Sequence, residues 1–167
     1  IQQAIKSNDP VMFFEPKRRY WQKGPVNLDA PAAGMHAARV LHPGTDVTIA
    51  TYGPMVSVAL QAAELAAEEG TSLEVIDIRS MAPIDFGTII ESVRKTGRLV
   101  VAAEASTNIS VASEIAARVT ELAFYHLEAP VLRVGGFDVP YPAAKLEEKF
   151  LPDADRILEA VDRSLAY

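Results

Sequence analysis

Apolar and polar positions along the chain repeat in three beats: an apolar strand, a turn, and a helix with one apolar side. Residues 73–85, LEVIDIRSMAPID, show the pattern most plainly. The apolar run 73–78 reads as a strand covered on both faces. A turn carrying Arg79 follows, and Asp85 stands where a helix N-cap belongs. The next helix spans 86–96, with Phe86, Ile89, Ile90 and Val93 on its inner face and Gly97 as its stop.

The same beat precedes and follows. Residues 47–52 are a continuous β-branched run broken by Gly53-Pro54. In helix 55–69 the polar residues Ser57, Gln61, Glu64 and Glu68 form one narrow wet stripe, and Gly70 occupies a left-handed C-cap position. Strand 99–103, loop 104–108 and helix 111–126 form the third unit. Ser110 is its N-cap, and Val111, Ile115, Val119 and Leu122 line the buried side. Strand 131–134 leads through an irregular loop at 135–142 to a last helix ending at Leu165, with Ile157, Leu158, Val161 and Leu165 inward.

Upstream the rhythm is absent. Residues 1–7 read as the end of a helix, Asn8-Asp9-Pro10 as a turn and 11–14 as a short strand. Residues 22–35 are linker-like, punctuated by Gly24, Pro25, Pro31 and Gly34, and 38–41 offer a short fifth strand. Strands alternating with helices predict a largely parallel sheet with helices on both faces.

Composition narrows the function classes. The chain has 167 residues, enough for one domain with a real core, and a net charge of −6. Such a balance disfavours nucleic acid; the one basic cluster, Lys17-Arg18-Arg19, reads as a solvated strand exit or a subunit contact. The absence of cysteine removes disulfides, thiolate catalysis and thiolate-bound zinc, and fits a cytoplasmic protein. No apolar run approaches the ~20 residues a membrane helix needs. The start at Ile1, inside an apparent helix, leads us to expect a piece of a longer polypeptide.

Loops at the carboxyl ends of parallel strands are the default ligand positions. The side chains there are Tyr52, Asp77, Arg79, Glu104, Asn108 and Asp138. Arg79 can grip a carboxylate or phosphate with two prongs, or pair with Asp77 or Asp85 to fix its turn. Asp77 interrupts an apolar strand and needs a partner, and Arg79 lies two residues on, on the same face. Glu104 can act as a base or accept backbone hydrogen bonds. His36, His42 and His126 have no metal-ligand spacing. There is no G-x-S-x-G elbow, no G-x-G-x-x-G and no Walker sequence.

Several segments together resemble the beta subunit of the decarboxylating component of the 2-oxo acid dehydrogenase complexes. They are PVMFFEPKRRYW (10–21), GTDVTIATYGPMVSVALQAAELAAEEG (44–70), LEVIDIRSMAPID (73–85), TGRLVVAAEA (96–105), LEAPVLRVGGFDVPYP (127–142) and LPDADRILEAV (151–161). The E-P-K-R-R-Y run points to the branched-chain type, with the pyruvate and acetoin types as alternatives. The resemblance implies the transketolase carboxy-terminal fold: three α/β/α layers around a five-stranded, mostly parallel sheet with one antiparallel strand, for which 38–41 is the candidate. It also implies that 1–21 is the tail of a pyrimidine-binding domain, 22–37 a linker, and 38–167 the carboxy-terminal domain.

Family members use thiamine diphosphate and magnesium, and the resemblance places both outside this segment. They assemble from alpha and beta subunits as a heterotetramer and dock on a dihydrolipoyl acyltransferase core. The resemblance assigns no catalytic residue and no metal ligand to this chain. It leaves Tyr52, Arg79 and Glu104 as substrate-channel or interdomain candidates, and Asp138 and Tyr167 as docking candidates. Two runs depart from the family pattern. Ala103-Glu104-Ala105 stands where the family often has His-Glu-Ala, and 108–114 lack its glycine pair. A binding or assembly module of the same fold is the competing reading, and a flavodoxin-like nucleotide binder a third that the missing glycine fingerprint opposes.

Overall fold

The computed structural model describes residues 2–25, 27, 29 and 34–167. The linker expected at 22–37 lies partly outside them. Five strands form one sheet in the order β1-β3-β2-β4-β5. β1 (Arg39–His42) runs antiparallel to β3 (Leu73–Asp77), with Arg39 opposite Asp77. β2 (Val47–Thr51), β3, β4 (Leu99–Ser106) and β5 (Leu132–Gly136) are parallel. The predicted α/β/α architecture with one antiparallel strand is the observed one.

Two short helices, α1 (Gln2–Lys6) and α5 (Glu147–Phe150), precede and follow the sheet, and the alternation of side chains across β2 sorts the core into two layers. Val47 and Ile49 face α2 (Met55–Glu68) and α6 (Ala154–Leu165), where they pack with Leu73, Val75, Val100 and Ile157. Ala50 faces α3 (Phe86–Thr96) and α4 (Val111–Ala123), among Ile89, Val93, Leu99, Val101, Ile115 and Val119. Both sheet faces are therefore dry, which is why the strands read as continuous apolar runs. Asp85 caps α3 as expected: its carboxylate accepts from the Thr88 amide at 3.1 Å and from the Ala38 amide at 3.0 Å, tying the approach to β1 onto the helix. Gly97 ends α3 at φ 69°, and Gly70 follows α2 at φ 84°.

Several local expectations are corrected. Residues 11–14 are not a strand; they are exposed, and no neighbouring strand offers them hydrogen bonds among the described residues. β4 continues through Ser106 and β5 through Gly136, because the two pair again at Ser106 and Gly136 beyond a register shift. α4 stops at Ala123 and a 3₁₀ turn carries Phe124–His126. Ser110 has extended backbone before α4, but its hydroxyl makes no cap bond. Leu122 and Leu165 are 46% and 38% exposed; the buried residues near those helix ends are Ala123 and Ser164.

The sheet also contains a polar seam. Glu74, on the α3 side of β3, is buried, yet its carboxylate pairs with the Lys95 ammonium and accepts from the Gly44 amide at 3.3 Å. Thr48 on β2 exchanges hydrogen bonds with the Ser92 hydroxyl at 2.6 Å and the Thr96 hydroxyl at 2.8 Å. Every hydroxyl in this seam has a partner, which is what lets polar groups sit between a sheet and a helix.

Candidate functional site

The strand order fixes where a ligand site should lie. The chain leaves β2 toward β3 on one side, then crosses back to β4 on the other, so the order reverses between β2 and β4. In a parallel sheet the crevice outside the carboxyl ends at such a reversal is open, because the flanking crossovers diverge. Tyr52-Gly53-Pro54 follows β2, and Glu104 lies in the last turns of β4, at that crevice.

Tyr52 and Glu104 are both partly buried and electrostatically coupled. Burial raises the Tyr52 phenol above its ordinary value, and the Glu104 charge raises it further. The phenol is therefore neutral throughout the physiological range and keeps a donor hydrogen. A cleft of about 370 Å³ opens beside them, lined by Pro16, Lys17, Pro54, Glu104, Tyr141 and Glu147. Tyr141 and Glu147 close one wall with a hydroxyl–carboxylate hydrogen bond.

The amino-terminal arm supplies what sequence reasoning missed. The Lys17–Arg19 3₁₀ turn follows Pro16, and Arg19 donates to the Gly53 carbonyl at 3.1 Å. This anchors Lys17 in the cleft wall with Glu104. The cluster had read as a solvated strand exit or a subunit contact; here Arg19 is a strap over the end of β2. Its only sequence signal was the proline-led basic run, since the contact spans 34 residues.

Arg79 and Asp77 do not form the side-chain pair considered above. Arg79 takes a left-handed backbone at φ 61°, and its Nη1 donates to the carbonyls of Gly34 and Ala37, both at 2.9 Å. Its amide donates to the Asp77 carboxylate at 3.1 Å. Burial raises the Asp77 carboxyl, while that amide and the positive fields of Arg79, Arg19 and Arg39 oppose the rise without cancelling it. The Arg79 guanidinium thus clips the approach to β1 onto the carboxyl end of β3.

The structure brings Asn108 and Asp138 together. The Asp138 carboxylate accepts from the Asn108 amide and the Ser106 hydroxyl, joining the loops after β4 and β5. Tyr167 is 74% exposed but lies beyond the far end of α6. Phe137, beside Asp138, contacts Arg156 in the first turn of that helix. At 1.5 Å per residue the end of α6 at Leu165, which Tyr167 follows, is about 14 Å farther along the axis. The two docking candidates therefore lie toward opposite ends of α6.

The chain has clear relatives. The family described as "Transketolase, C-terminal domain" matches residues 36–157. The chain is 64% identical over its full length to the pyruvate dehydrogenase E1 component subunit beta of Leifsonia xyli subsp. xyli, covering 50% of that protein. Over 99% of its length it is 49% identical to the 3-methyl-2-oxobutanoate dehydrogenase subunit beta of Mycobacterium tuberculosis, covering 48% of it. Among solved structures, a split-gene transketolase in an inactive beta4 tetramer superposes with a TM-score of 0.71 at 34% identity, over 80% of this chain and 43% of that one. The chain thus spans about half the length of the curated relatives it matches. It belongs to the transketolase carboxy-terminal domain family.

Proposed function

We propose that this chain is the carboxy-terminal part of the beta subunit of a thiamine-diphosphate-dependent 2-oxo acid dehydrogenase. The observation that carries the reading is the 64% identity to a subunit of that class over the whole chain. On this reading residues 1–21 are the tail of a pyrimidine-binding domain, 22–37 a linker and 38–167 the carboxy-terminal domain. The whole enzyme is a cytoplasmic heterotetramer of alpha and beta subunits that transfers acyl groups to a lipoyl carrier. The pyruvate type is favoured over the branched-chain type, because 64% against 49% identity outweighs one short E-P-K-R-R-Y run.

On this reading thiamine diphosphate and magnesium bind outside this segment of the beta subunit. Among the described residues no three His, Cys, Asp or Glu side chains converge on a metal position. The carboxyl end of the sheet presents Tyr52, Glu104, Lys17 and Arg19 instead. These residues suit a passage wall or an interdomain contact: Glu104 and Lys17 line the cleft, the neutral Tyr52 phenol is coupled to Glu104, and Arg19 straps the arm to the Gly53 carbonyl. Within the whole enzyme we assign Tyr52 and Glu104 to that wall, Arg79 to an interdomain position at the carboxyl end of β3, and no catalytic step to this chain.

The test is reconstitution of the full-length beta chain with its alpha chain, thiamine diphosphate and magnesium. Decarboxylation is followed with an artificial electron acceptor. We expect kcat/KM for pyruvate to exceed that for 3-methyl-2-oxobutanoate by at least about tenfold, since added methyl groups discriminate on that scale. The opposite preference would select the branched-chain type, and no turnover of either acid would refute the class.

Docking on the acyltransferase core is a separate part of the proposal, resting on exposed Tyr167 and the Asp138 loop. Deleting Ala166 and Tyr167, or Asp138→Lys, is expected to weaken calorimetric binding to the acyltransferase by about tenfold. Equal affinity for both variants would remove these residues from the interface.

A further inference from the structure

At the β5 edge of the sheet three arginines from two elements surround one small cavity. It measures about 110 Å³ and is lined by Arg133 and Val134 of β5 and by Arg156, Glu159, Ala160 and Arg163 of α6. Three cations against one carboxylate is a local excess of positive charge in a chain whose net charge is −6.

Two of the guanidinium groups are fixed by hydrogen bonds, that of Arg133 on the α4 side of the sheet and that of Arg156 on the α6 side. Arg133 Nη1 donates to the Thr107 carbonyl at 2.7 Å and the Ser113 hydroxyl at 2.6 Å. Arg156 Nη2 donates to the Gly135 carbonyl at 2.5 Å, and the Phe137 ring lies 4.9 Å from its Cζ. Arg156 Nη1 is buried and has no acceptor among the described residues. A buried donor without an acceptor is costly, and arginine cannot relieve that cost by losing its proton. A water or an anion seated in the cavity can supply that acceptor.

The cavity limits what that acceptor can be. At about 30 Å³ per water, it holds a group of three or four water-sized atoms. That is the size of one phosphoryl or carboxylate head, not of a nucleotide. Guanidinium nitrogens match tetrahedral oxyanions in a forked geometry, and several together favour a doubly charged one.

We propose that this cavity is an oxyanion site, taking inorganic phosphate or the phosphate of a small monoester. Arg156 provides the preset donor; Arg133, whose guanidinium is tied to the α4 side, and exposed Arg163 add positive charge at the rim; and Glu159 opposes binding. The competing account is that Arg133 and Arg163 only guard the exposed edge strand against pairing.

The test is titration of the full chain with inorganic phosphate at constant ionic strength, read by calorimetry and by phosphorus NMR line width. Saturable binding is expected below about 10 mM. Arg163→Gln, at an exposed position, should weaken it about fivefold, and Glu159→Gln should tighten it by a similar factor. Arg156→Gln should weaken it most; because that residue also holds the Gly135 carbonyl, its fold is checked by circular dichroism, and the other two variants carry the test if it unfolds. Glycerol 3-phosphate distinguishes the sources: tighter binding than inorganic phosphate identifies a metabolite ester, equal or weaker binding free phosphate. Absence of saturable binding, or affinities unmoved by Arg163→Gln and Glu159→Gln, would overturn the proposal in favour of edge protection.

Discussion

Replacing Gly44 by alanine is expected to destabilise the domain by about 3–5 kcal/mol, a large fraction of the roughly 5–15 kcal/mol that holds a domain folded. Gly44 lies in the turn from β1 to β2, pressed against the first residues of β3. A Cβ there would sit 2.2 Å from the Leu73 carbonyl carbon and 2.3 Å from the Glu74 nitrogen. Neither atom can swing away as a side-chain end could. The same turn is pinned on both sides: the Asp46 amide donates to the Ser72 carbonyl at 2.9 Å, and the Ser72 amide to the Asp46 carboxylate at 2.7 Å. Relief would need β3 to move away from β2. Urea denaturation of Gly44→Ala beside Gly24→Ala measures this, since a Cβ at Gly24 meets nothing within 4 Å. Equal stability of the two variants would show that the turn is more pliable than its packing indicates.

Removing the Glu74 carboxylate is expected to cost about 2–3 kcal/mol at neutral pH. Burial by itself would raise this carboxyl. The Lys95 ammonium, the Ser92 hydroxyl and the Gly44 amide outweigh that and hold it below its ordinary value of 4.5. Lys95 is 45% exposed, so truncating Glu74 leaves a cation that water can reach. The loss is that of the hydrogen bonds and the packed side chain rather than of a stranded buried charge. The sign of the pH effect follows from the lowered value. The folded state holds its proton less tightly than the unfolded chain, so the carboxylate contributes fully above the ordinary value and its contribution fades as pH falls through the lowered one. Glu74→Gln should therefore narrow its stability gap to the native chain as pH drops from 7 to below 4. A gap that stays constant over that range, measured by denaturation at each pH, would show that Glu74 acts by shape alone.

These two positions show what could be read without coordinates. Glu74 in an apolar run looked like a strand residue, and its neighbour Asp77 drew the attention as the charge needing a partner. The structure gives Glu74 the buried ion pair, because it points to the α3 face where Lys95 comes alongside, 21 residues later. Asp77 ends its strand half-buried and takes a backbone amide instead of a guanidinium. Arg79 stood in the right turn, but its left-handed backbone sends the side chain to carbonyls at 34 and 37. Tyr52 and Glu104 were candidates as strand-end residues. That they meet at one crevice depends on β2 and β4 being neighbours.

The sequence by itself determined, to within a few residues at their ends, the five strands of the sheet and its four long helices, the helix cap at Asp85 and the stop at Gly97, the parallel sheet and the family. Apolar period, cap chemistry and turn residues are local, and a covered parallel sheet leaves a continuous apolar run that nothing else explains. Only the tertiary structure decided the order β1-β3-β2-β4-β5, and with it the crevice shared by Tyr52 and Glu104. It alone brought Arg19 to the Gly53 carbonyl and gathered Arg133, Arg156 and Arg163 around one cavity. Those juxtapositions join residues tens of positions apart, and the pairing that produces them is set by how whole layers bury their faces together rather than by any stretch of chain.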